Sequence, residues 1–115
     1  MKNVRVLIVE DSKTMQAFLV NLLKKEDYEV LVAGDGETGL KLFQQGLVEG
    51  NPFDIVMTDI VMPGMSGLEV LEKVKTLNYD TVVIVLTSDA NVDTAIEALN
   101  LGANNYLHKP PNSEE

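Results

Sequence analysis

The sequence predicts an α/β domain, a doubly wound sheet of five parallel strands in the order 2-1-3-4-5 with helices on both faces. Three observations carry that prediction. Short apolar runs alternate strictly with segments whose apolar residues recur at helical spacing. Turn and cap residues punctuate the junctions between them. The chain has 115 residues and no cysteine, an ordinary length for one domain that builds its core without disulfide or cysteine–zinc staples.

Val4–Val9 is an apolar run suited to a strand covered on both faces. Ser12 is the N-cap of a helix whose Met15, Phe18, Leu19, Leu22 and Leu23 fall at i, i+3, i+4, i+7 and i+8. Val30–Ala33 forms the second strand. Beyond Asp35-Gly36, the residues Leu40, Phe43 and Leu47 mark a second helix, which Gly50-Asn51-Pro52 ends. Ile55–Thr58 is the third strand. Ser66 and Glu69 make a capping-box pair opening a third helix that carries Leu68, Leu71 and Val74. Val82–Leu86 is the most strongly apolar strand. Val92, Ala95, Ile96 and Leu99 give the fourth helix, stopped by Gly102, and Asn105–His108 is a short polar fifth strand.

Strands one, three and four are the most apolar and belong at the centre. Glu29 and the polarity of strand five place the other two at the edges. The resulting order reverses between strands one and three, and ligands of such sheets bind beyond the carboxyl ends at that reversal. Nine Lys+Arg against eighteen Asp+Glu give a net charge of −9, which argues against nucleic acid or an anionic membrane as a direct partner. No apolar run approaches the roughly 20 residues that span a bilayer. Met1-Lys2-Asn3-Val4-Arg5 enters the first strand without signal-peptide organisation, so a cytoplasmic location is expected.

Strand one ends in Glu10-Asp11, strand three in Asp59, strand four in Thr87-Ser88 and strand five in Lys109-Pro110. The fold brings these together on one edge. Three carboxylates that close repel by about 4 kcal/mol per pair at an effective dielectric near 20. Glu10, Asp11 and Asp59 contribute −3 and Lys109 +1, leaving −2, which a divalent cation neutralises. Oxygen-only donors favour Mg²⁺ over zinc, and Mg²⁺ keeps coordination positions for a phosphoryl group. Asp59, alone on the central third strand, is then the candidate nucleophile, with Glu10 and Asp11 as the metal cradle. Lys109 and the Thr87 hydroxyl can stabilise the equatorial oxygens. Taken singly, each is an ordinary turn or cap residue; their convergence carries the reading. Met57, Met62 and Met65 read as packing residues, and His108 as a surface residue.

Glu10-Asp11, the stretch Asp59-Ile60-Val61-Met62-Pro63-Gly64-Met65-Ser66-Gly67, Thr87-Ser88, and Tyr106-Leu107-His108-Lys109-Pro110 together resemble the receiver domain of two-component response regulators, of the chemotaxis-receiver type. The resemblance covers residues 1–115. It implies that Asp59 accepts a phosphoryl group from a sensor histidine kinase or a small donor such as acetyl phosphate. It implies Mg²⁺ held by Glu10, Asp11, Asp59 and the backbone carbonyl of Val61, and Lys109 paired with the phosphate, its place set by a cis bond to Pro110. Thr87 and Tyr106 would be the switch pair, small Ser88 would admit the phosphate, and an effector would read the result. No enzymatic turnover is implied beyond the chain's own phosphorylation and dephosphorylation.

Two departures stand out. Val61 is apolar where the water that hydrolyses the phosphoryl group would pass, with Asp89 across the site, so slow dephosphorylation is expected. The family ends in a fifth helix, and here Asn112 or Ser113 followed by two glutamates reads as only its opening turn. Apolar surface on helix one would then stay open and invite self-association. The rival readings are a flavin carrier, which the anionic Glu10-Asp11 turn disfavours, and a phosphatase, which would need its aspartate nucleophile on strand one. A pseudo-receiver that acts by contact without phosphorylation is the alternative within the family.

Overall fold

The structure, a computed structural model, describes residues 3–88 and 92–109. Strands β1 (Arg5–Val9), β2 (Glu29–Ala33), β3 (Ile55–Asp59), β4 (Val82–Thr87) and β5 (Asn105–His108) alternate with helices α1 (Lys13–Lys24), α2 (Gly36–Val48), α3 (Gly67–Leu77) and α4 (Val92–Asn100). The five strands form one parallel sheet in the order β2-β1-β3-β4-β5, as the sequence predicts. β3 and β4 each run one residue further than their apolar patterns suggest, so Asp59 and Thr87 are the last residues of their strands.

Strand alternation sorts the core into two layers. Leu7, Val9, Val56, Val83 and Val85 face α2, α3 and α4, meeting Phe43, Leu71, Val74 and Ala98. Val6, Ile8, Met57 and Leu86 face the other way, onto Leu19 of α1. The sequence reads all the helix positions correctly but not every rotation. On α1 only Leu19 is buried, while Phe18 and Leu22 stay 46% and 49% exposed. On α4 the Val92, Ile96 and Leu99 stripe points outward, and Ala98 makes the contact instead. A small residue there lets α4 lie close against the short β5. On α3 the buried stripe is Gly67, Val70, Leu71, Val74 and Lys75, with Leu68 half-buried.

Lys75 is the one lysine in a buried helix stripe among the described residues. Its Nζ donates to Thr81 O at 2.6 Å, Asn104 Oδ1 at 2.7 Å and Tyr79 O at 3.1 Å. All three acceptors are uncharged, and together they saturate the ammonium's donors. Burial pulls Lys75 below the ordinary lysine range, with the Asp80 carboxylate opposing. Asn104 Oδ1 also accepts from Val83 N at 2.8 Å, so this cluster ties α3 to the starts of β4 and β5. At the same amino-terminal edge, Arg5 donates to Asn51 O, stacks 4.3 Å above the Phe53 ring and pairs with Glu29 at 3.3 Å.

The helix starts follow the sequence. Ser12 caps α1, and Ser66 with Glu69 forms the full capping box on α3. Asp35 caps α2, and the bonds from Thr38 N–H and Thr38 hydroxyl hold its carboxyl below the usual aspartate range. A depressed folded value adds stability above the ordinary aspartate range that is lost as the pH falls through it. Thermal melts from pH 7 down to about 3 should therefore show a steeper acid loss for the wild type than for Asp35→Asn, whose cap cannot titrate. Parallel curves would contradict this. The Lys109–Pro110 bond, Asp89, and the Asn112–Ser113 turn lie outside the described residues.

Candidate functional site

The carboxyl edge of the sheet gathers the residues expected there. Glu10 N donates to Ala33 O at 3.0 Å, which carries the β1–β2 ladder one residue past the strand. That places the Glu10 side chain inside the protein, with no exposure to solvent. Its Oε2 accepts from Ser12 N at 3.0 Å, and its backbone carbonyl accepts from Gln16 Nε2 at 2.6 Å. Asp11 is exposed at the head of the turn.

Asp59 is buried at the end of β3. Its Oδ1 accepts from Ile60 N at 2.8 Å and its Oδ2 from Lys109 Nζ at 3.0 Å. Behind it, α3 begins in direct contact with the strand. Gly67 N donates to Ile60 O at 2.8 Å, and a Cβ on Gly67 would sit 1.8 Å from the Asp59 carbonyl oxygen. Only glycine allows that approach. Lys109 is set by the sheet: its N–H donates to Thr87 O at 2.7 Å, extending the β4–β5 ladder.

Lys109 Nζ also lies 3.1 Å from Glu10 Oε1, an ion-pair contact off the angle of a hydrogen bond. One ammonium is thus shared by two buried carboxylates. Burial raises Glu10 above the ordinary glutamate range; the Asp59 charge adds to this, and the Ser12 amide and Lys109 oppose it. Burial pulls the other way on Lys109, but the bond to Asp59 and the charges of Asp59 and Glu10 outweigh it and leave the ammonium above its usual range. Carboxylate oxygens of Glu10, Asp11 and Asp59 lie within 4.8 Å of one another. A buried oxygen without a hydrogen bond, in an all-oxygen set carrying two uncompensated negative charges, suits a small hard dication.

The remaining predicted residues lie around this centre. Thr87 is buried at the end of β4, and Ser88 beside it is exposed. Val61, two residues past Asp59, is 72% exposed. Tyr106 is half-buried and packed against the core, and its hydroxyl is buried without a hydrogen-bond partner among the described residues. His108 is exposed, with Nδ1 3.1 Å from Lys109 O. Met57 and Met62 are buried and Met65 packs against the core, as expected. Sequence reasoning missed Gln16. Its only signal was a polar amide placed one helical turn after the Ser12 cap.

The family described as response regulator receiver domain matches residues 6–115. A transcriptional regulatory protein, DltR of Streptococcus agalactiae, is 36% identical over 111 residues, covering 96% of this chain and 47% of its own length. The chain spans about half the length of several curated relatives it matches. A response regulator receiver domain protein from Clostridium thermocellum superimposes with a TM-score of 0.85 at 33% identity, over 96% of this chain and 86% of that one. A response regulator from Burkholderia pseudomallei, solved with a phosphorylated aspartic acid, calcium ion and citrate, has a TM-score of 0.81 at 29% identity, over 97% and 63% of the two chains. With the strand order, the acidic edge and these likenesses in agreement, the chain belongs to the response regulator receiver domain family of two-component signalling.

Proposed function

We propose that residues 1–115 act as a phosphoacceptor unit, in which Asp59 takes a phosphoryl group in an Mg²⁺-dependent step from a sensor histidine kinase or a small donor. The observation that carries this is the single Lys109 ammonium shared between buried Glu10 and Asp59. A carboxylate oxygen of Asp59 forms the new bond to phosphorus. The donor's bond to phosphorus breaks, and the donor leaves with that electron pair. Lys109 stays beside the transferred group and neutralises part of its charge, and the Thr87 hydroxyl offers a hydrogen bond. Mg²⁺, when bound by Glu10, Asp11, Asp59 and the Val61 carbonyl, supplies further charge neutralisation. Ser88 leaves room for the phosphate.

The output is a shift between two conformations, limited by how much better the phosphorylated site fits one of them. Thr87 and Tyr106 form the switch pair in this reading. The buried Tyr106 hydroxyl, unpaired among the described residues, supports it, since an unsatisfied polar group marks a packing that another arrangement can relieve. The chain turns over no substrate besides its own phosphoryl group. A cytoplasmic setting, an effector partner, and self-association beside exposed Phe18 and Leu22 belong to the same reading.

The test is incubation with acetyl phosphate and Mg²⁺ followed by intact-mass measurement. The wild type should gain one phosphoryl group. A folded wild type that gains none would put the pseudo-receiver reading in its place. Val61, with its exposed apolar side chain beside the water's route, should make the phosphorylated form long-lived. After removal of the donor, a radiolabel chase should show loss over hours, and loss within seconds would refute this.

A further inference from the structure

We propose that Gln16 is a positioning residue for the cation cradle: its side-chain amide clamps the Glu10 carbonyl and so fixes how Asp11 presents its carboxylate. The inference rests on the phosphoacceptor reading and goes beyond it to a residue outside the acidic set. Glu10 and Asp59 are each held in place by their own side-chain bonds, from Ser12 N, Ile60 N and Lys109. Asp11 has no hydrogen bond or ion pair to a described residue, yet its carboxylate lies within 4.8 Å of the other two. Among the described residues, its place therefore depends on the main chain.

That main chain is tethered on both sides of Asp11: Ser12 N donates to Glu10 Oε2 at 3.0 Å after it, and the Glu10 carbonyl is held before it. The Glu10 carbonyl and the Asp11 amide are two ends of a single planar peptide, so fixing the oxygen fixes the plane from which the Asp11 Cα projects. Gln16 Nε2 fixes the oxygen at 2.6 Å. Gln16 is itself anchored in the first turns of α1, where its N–H donates to Ser12 O at 2.9 Å. The turn from β1 into α1 is thus closed by two bonds to Glu10, from Ser12 N and from the half-buried Gln16 amide, and only the second holds the Glu10–Asp11 peptide. Without it, the Glu10–Asp11 peptide loses its own tether and only the Ser12 bond limits its rotation, so Asp11 is held less firmly in the cradle. The cost falls on cation affinity, because Asp11 makes no hydrogen bond or ion pair to another described residue that would register its displacement.

The experiment titrates Mg²⁺ by calorimetry into the full chain without phosphodonor, comparing wild type, Gln16→Met and Gln16→Asn. Met keeps the length without a donor, and Asn keeps the donor without the reach. The temperature is one at which circular dichroism shows all three folded. Both variants should bind Mg²⁺ about fivefold more weakly, the equivalent of one ordinary hydrogen bond. Phosphoryl uptake at saturating Mg²⁺ should stay near wild type, with only the Mg²⁺ requirement shifted. A residue that merely stabilised α1 would lower the melting temperature and leave the Mg²⁺ affinity alone, and that outcome overturns the proposal. A wild type that takes up no Mg²⁺ overturns the phosphoacceptor reading first, and this inference with it.

Discussion

Asp59→Asn should gain no phosphoryl group under conditions in which the wild type is fully modified, a loss of several orders of magnitude in rate. The substitution is nearly isosteric, so the backbone bond from Ile60 N can be kept by the amide oxygen. The amide nitrogen then faces Lys109 Nζ, a donor against a donor, where the wild type has an ion pair at 3.0 Å. Lys109 keeps only Glu10 as an anionic partner, and the local charge falls from −2 to −1. Nucleophile and part of the cation attraction are lost together. Intact mass, with circular dichroism to confirm folding, checks both. If the variant still gains phosphate, the acceptor lies elsewhere; peptide mapping would first examine His108, the only histidine in the chain.

Lys75→Met should cost about 2 kcal/mol of folding stability, the second large effect. Methionine preserves most of the aliphatic stem but leaves Tyr79 O, Thr81 O and Asn104 Oδ1 without their shared donor. Asn104 Oδ1 keeps its bond from Val83 N and Tyr79 is exposed, so the cost falls mainly on the buried Thr81 carbonyl, for which an unpaired acceptor costs roughly 1–3 kcal/mol. For a domain this size that is roughly 10 °C in melting temperature. Urea unfolding should show an earlier midpoint with an unchanged slope. A loss below about 1 kcal/mol would mean that the lysine contributes little beyond its stem. Because this cluster sits at the edge opposite Asp59, phosphoryl uptake by the folded variant should be unchanged.

The sheet order was legible because it depends on alternation and on relative apolarity, both of which are local properties of Val4–Val9, Ile55–Thr58 and Val82–Leu86. The site was legible for a derived reason: once the strands are parallel, their carboxyl ends must share an edge, and Glu10, Asp59 and Lys109 meet there. Helix rotation was less accessible. Periodicity identifies a stripe but not whether the sheet beneath is wide enough to cover it, so Phe18 and Leu22 stay half open and Val92, Ile96 and Leu99 face outward. Lys75 was hidden by its charge, although it lies four residues after Leu71 on the buried stripe. Gln16 was hidden because its contact spans a turn whose path no spacing rule describes.

The absence of a side chain at Gly67 has a mechanical consequence. With the main chain of α3 seated directly on the carbonyl of Asp59, no flexible group lies between them to absorb displacement. Close-packed backbone transmits strain where a long side chain would dissipate it. Strand end and helix head are therefore yoked, and a displacement of the Asp59 backbone is passed directly to the first turn of α3.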